Sequence, residues 1–177
     1  MYLLIIVFIS ITFSESMTSA ELIFLQEYQK SNYKSKKHFN LFNLLMDKEL
    51  EIEDASTCIL LYEACLFNDD LTAANKYLNM AISNNKKNQS YRDLSFELEE
   101  YRDLLARAKK TYEKDLFDEA IRDYSNILKA YPNRALPYYE QGIVYRAIKD
   151  YRKAITSFNS AKALNPNKDL YKKAIIS

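Results

Sequence analysis

The sequence repeats itself. "LLARAKKTYEKDLFDEAIRDYSNILKAYPN" (residues 104–133) aligns with "YYEQGIVYRAIKDYRKAITSFNSAKALNPN" (138–167), placing Ala120 on Ala154, Tyr124 on Phe158 and Pro132 on Pro166, each pair 34 residues apart. A fixed period of that length is the mark of stacked helical hairpins, because one such unit cannot bury its apolar face alone. Composition agrees. One glycine and three prolines leave little material for tight β-turns and favour an all-α chain with short polar connections.

One unit can be read in physical terms. A first helix is expected from about Pro137 to Ala147, since proline is tolerated in a first helical turn. It carries Tyr138, Gly142 and Tyr145 along one face at helical spacing. "KD" then breaks the pattern, and Asp150 suits the N-cap of the next helix. Tyr151, Ala154, Ile155, Phe158 and Ala161 form the stripe of the second helix, and Pro166 stops it. Gly142 sits where glycine costs about 1 kcal/mol against alanine. The preceding unit has Ala108 at the equivalent place, so small size, not backbone freedom, is the expected requirement.

These residues resemble a tetratricopeptide repeat (TPR). The pattern of an aromatic, Leu-Gly, Tyr, Ala, an aromatic, Ala and Pro is held by Tyr138, Gln141-Gly142, Tyr145, Ala154, Phe158, Ala161 and Pro166. Gln141 departs from the apolar preference. The unit before it matches more loosely through Leu104, Ala108, Thr111, Ala120, Tyr124, Ile127 and Pro132. The resemblance implies a TPR-type α-solenoid of antiparallel hairpins, with two clear repeats at 91–134 and 135–168 and a short C-terminal helix over 169–177.

Upstream, "CILLYEACLFNDDLTAANKYLNMAI" (58–82) follows the same logic, with Ala74 lying 46 residues before Ala120. Residues 55–90 therefore read as a degenerate hairpin plus a polar loop, with about twelve residues inserted before the next unit. The second half of that insertion extends the following helix. Tyr91, Leu94, Leu98, Tyr101, Leu105, Ala108 and Tyr112 alternate by three and four, the spacing of a helix-packing seam. It serves either packing within the chain or a partner helix, including a second copy. Residues 17–54 read as a further N-terminal helical region.

"YLLIIVFISITF" (2–13) is nearly continuously apolar, too short for a membrane span and of the length of a signal-peptide core. Residues 1–16 are expected to be a signal peptide, with cleavage as late as Ala20, making the protein periplasmic or secreted. No Lys or Arg precedes the run, and a start at Met17 would instead give a cytoplasmic protein.

Catalytic chemistry finds no foothold. His38 is the only histidine and is flanked by lysines, a poor base for a catalytic triad or a His-based metal site. One glycine cannot build a phosphate loop. Cys58 and Cys65, two helical turns or roughly 10 Å apart along one axis, are beyond disulfide reach and read as small buried hydrophobes. The net charge of +1 argues against a nucleic-acid binder. No cofactor, metal or catalytic residue is expected, and the chain reads as a non-enzyme.

In a TPR array the first helix of each unit lines a concave groove that holds peptide or helical segments of partner proteins. The resemblance places Arg102, Leu105, Lys109, Tyr112, Leu136, Tyr139, Ile143 and Arg146 there. None is asparagine, which argues against the subclass that grips chaperone C-termini. The expected function is an adaptor or scaffold. The alternative is a self-associating structural subunit assembled through 91–112 or the apolar C-terminus.

Overall fold

A computed structural model describes residues 55–176. The expectations for the signal segment 1–16 and the helical region 17–54 lie outside the described residues. Seven helices follow in order: α1 (Ala55–Phe67), α2 (Leu71–Asn84), α3 (Gln89–Glu113), α4 (Phe117–Ala130), α5 (Ala135–Ala147), α6 (Tyr151–Leu164) and α7 (Asp169–Ile176). They pair as hairpins α1/α2, α3/α4 and α5/α6, with α7 against α6. No strand occurs among the described residues.

The backbone shows that all three hairpins are the same unit. The turn inside each places one non-glycine residue at positive φ: Asp69 at 59°, Asp115 at 60° and Lys149 at 63°. The second helix of each ends with a backbone N–H returned to the carbonyl four residues back, from Asn85, Tyr131 and Asn165 to Ala81, Ile127 and Ala161. Asp70 and Asp150 cap α2 and α6, accepting from the N–H of Ala73 and Lys153. At α4 the cap position holds Leu116 with no side-chain bond, and Asp118 and Glu119 occupy the first turn instead, where carboxylates offset the helix dipole.

The inserted residues are entirely helical. The turn Asn85–Asn88 is no longer than the turn at 131–134, whereas α3 has 25 residues against 13 for α1 and α5. The expected polar loop is thus only the ordinary connection between units. Twelve extra helical residues amount to about 18 Å and about three and a third turns. The insertion thus lengthens α3 itself and leaves the connection before it short.

Small residues sit where helices meet: Ala74, Ala81, Ala108, Ala120, Ala154 and Ala161 are all buried. Tyr101, Leu105 and Ala108 of α3, Ala120, Tyr124 and Ile127 of α4 and Val144 of α5 form one core cluster. Cys58 and Cys65 are buried and form no disulfide, and burial pushes the Cys65 thiol pKa up to about 12.

Two expectations change. Tyr151 and Ile155 point outward, at 59% and 46% exposure. Their counterparts one unit earlier, Phe117 and Ile121, are half-buried against the core because another hairpin follows them. After α6 the next described element is the eight-residue α7, which leaves these two positions uncovered. Gln141 is not a blemish: it is buried, and its amide donates to Ser125 Oγ at 2.9 Å. It ties α5 to α4 across the unit boundary.

Candidate concave binding face

The first helices α3 and α5, followed by α7, line one side of the array. The sequence-predicted residues divide there by burial. Leu105 lies in the core, so it has almost no surface to offer. Tyr112 and Leu136 pack against that core, with the Tyr112 ring 5.9 Å from Phe117. Tyr139 is stacked between Phe158 and Tyr171, at ring separations of 5.7 and 5.1 Å. Arg146 spreads its guanidinium over the Phe158 ring at 5.7 Å, a cation–π contact. Arg102 and Lys109 are exposed and Ile143 is half-buried.

Glu140 belongs with this group, although the sequence reading passed over it. Burial, its main perturber, raises its carboxyl pKa, and the Lys109 ammonium partly opposes the rise. The face thus carries an α3 cation whose charge acts on a partly desolvated α5 carboxylate, with an aliphatic side chain and a fixed aromatic stack on the same helix. Ion-pairing groups and rigid apolar surface side by side suit recognition of an extended or helical protein segment.

The expected seam on α3 is used within the chain. Leu98, Tyr101, Leu105 and Ala108 are all buried in it, leaving them no surface for a second copy. Phe96, on the extended part of α3, is 69% exposed.

One further contact was invisible in the sequence. The tip of the first hairpin meets the last turn of the array. Asn165 Nδ2 donates to the Phe67 carbonyl at 2.8 Å. Lys168 Nζ donates to the Asn68 carbonyl at 2.8 Å and to Asp69 Oδ2 at 2.7 Å. The Tyr171 hydroxyl donates to the same Asp69 oxygen. These partners lie about a hundred positions apart, so no local pattern could have announced them.

Among the described residues no group of His, Cys, Asp or Glu is placed to hold a metal. No described helix is long and apolar enough to cross a membrane.

No family model matches the sequence, and no curated protein matches it. Solved structures similar to it are TPR proteins. The TPR domain of Arabidopsis OM64 is 20% identical over 69% of this chain and 91% of that one, at a TM-score of 0.39. The TPR2AB domain of yeast Sti1, in complex with pHSP90, is 16% identical over 84% of this chain and 64% of that one, at 0.41. YrrB, described as a TPR protein with an unusual peptide-binding site, is 20% identical over 80% and 66%, at 0.36. At those scores the likenesses add nothing to what the chain's own geometry establishes. Three equivalent hairpins with the 34-residue spacing between the last two, and with small residues at each helix contact, make this a TPR-like helical fold.

Proposed function

We propose that this chain is a non-enzymatic adaptor that holds a segment of another protein against the face formed by α3 and α5. The observation that carries the reading is half-buried Ile143 beside the Tyr139 aromatic stack, with the Lys109 charge acting on the partly desolvated Glu140 carboxyl. The two groups offer a charged contact to either sign of partner side chain, and the apolar floor rewards burial at roughly 25 cal/mol per Å². The proposed setting is outside the cytoplasm, on the strength of the apolar run over residues 2–13.

The structure changes which residues should be altered to test this. An alanine at Tyr139 would remove a ring from the packed stack and confuse binding with folding. A photo-crosslinking amino acid at Ile143, on the concave side, should capture the partner during affinity purification from the native host. The same group at Ile155, exposed on α6, should not. Equal capture at both positions would reject the concave face as the binding surface.

A further inference from the structure

We propose that the tip of the first hairpin, Phe67–Asp70, is a latch that closes the concave face, and that a partner segment gains that face only when Asp69 leaves Lys168 and Tyr171. The inference rests on the concave-face reading above and concerns its regulation.

The position of the tip comes first. Asp69 is bonded to Lys168 and Tyr171 at the last turn and α7. Its charge also raises the pKa of Tyr101 on α3 and of Glu140 on α5. One carboxylate therefore bonds to α7 and the turn before it, and its charge reaches side chains of α3 and α5. Tyr171, which grips it, also stacks on Tyr139, so latch and groove share a wall.

The chemistry of the joint is that of a clasp. The Asp69 side chain is only 4% exposed and that of Lys168 25%. A buried ion pair gives back much of its attraction in desolvation. The joint also leaves two buried acceptors, Asn68 Oδ1 and Asn165 Oδ1, without hydrogen-bond partners among the described residues. Each such atom is a penalty that release into water removes. Tyr171 keeps its packing against Ala135 and Ala161 whether or not the tip is bound. Opening therefore gives up a few strong polar bonds and regains hydration of the same groups.

The test uses the full chain and two variants. Asp69→Asn keeps the shape and tolerates positive φ but removes the ion pair. Tyr171→Phe keeps the ring and removes one hydroxyl. Hydrogen exchange read by mass spectrometry, with no partner present, should speed up at least about tenfold at amides 67–71 and 168–171 in Asp69→Asn, the factor that corresponds to 1.4 kcal/mol. Tyr171→Phe should speed the same amides by a smaller factor. Residues 117–164 should stay within about twofold of the parent. Uniform acceleration across all hairpins would show a structural staple and overturn the latch, as would unchanged exchange at the tip. If Asp69→Asn does not fold, Tyr171→Phe decides: faster exchange confined to the same amides supports the latch, and unchanged or uniformly faster exchange overturns it.

The gating half is read by crosslinking yield at Ile143, which should rise at least about threefold in the open variant. An unchanged yield overturns gating. Because the exchange measurement needs no partner, failure of the Ile143 capture and failure of the latch are separate results.

Discussion

At the scale of single residues, Gly142 shows how a costly choice is compensated. Its φ is not positive, so no special backbone conformation asks for glycine. A Cβ there would lie 2.5 Å from Cε1 of Phe158 and 2.6 Å from Cδ1, inside any real contact distance. The Phe158 ring lies directly on the α5 backbone and is held on its other sides by Tyr139 and Arg146, so it has little room to give. Gly142→Ala should therefore destabilise the chain by about 1–3 kcal/mol, the usual range for overpacking, despite alanine's better helix propensity. The urea midpoint should fall. Gly142→Ala combined with Phe158→Leu should recover part of the loss, and a midpoint raised by Gly142→Ala alone would refute this account. The requirement for a small residue was legible from Ala108 at the equivalent place. The ring that imposes it was not, because two residues sixteen apart in sequence meet only through the hairpin turn.

At the scale of elements, the period made both later hairpins legible, and a short C-terminal helix follows them from Asp169. The sequence misled where it asked which face each residue takes. Tyr151 and Ile155 have the spacing of inward residues, yet spacing says nothing about whether a further unit exists to cover them. The turns offer a test of repeat equivalence. Asp70 and Asp150 cap their helices, whereas Leu116 holds that position at 44% exposure with no cap bond. Leu116→Ser should add the missing bond to an orphan N–H of α4 and stabilise the chain by about 0.5–1 kcal/mol. The urea midpoint should then rise; a lower midpoint would mean that the apolar contact made by the buried half of Leu116 outweighs a cap.

At the scale of the whole described array, what joins it is not periodic and so could not be read in advance. The clasp from Asp69 to Lys168 and Tyr171 joins residues about a hundred positions apart and follows no motif. The same closure, with the packing around it, buries several phenols, and this makes stability depend on alkali in a predictable way. Burial is the first cause at each: Tyr62 is pushed up to about 12 from 10.0, and Tyr101, Tyr124 and Tyr171 are raised further. A folded-state pKa above the unfolded value means that stabilisation is complete below about pH 10 and is lost as pH rises toward the folded values. Unfolding pulls those protons off, because the unfolded phenols ionise first. Tyrosinate absorbance near 295 nm should therefore show a late step above about pH 11 that coincides with loss of the helical circular-dichroism signal. In Tyr171→Phe that step should lose about one tyrosine's amplitude. If all the absorbance instead develops near pH 10 while the helical signal stays intact, these phenols are open to water in the folded chain, and the packing described for α7 on the last unit is wrong.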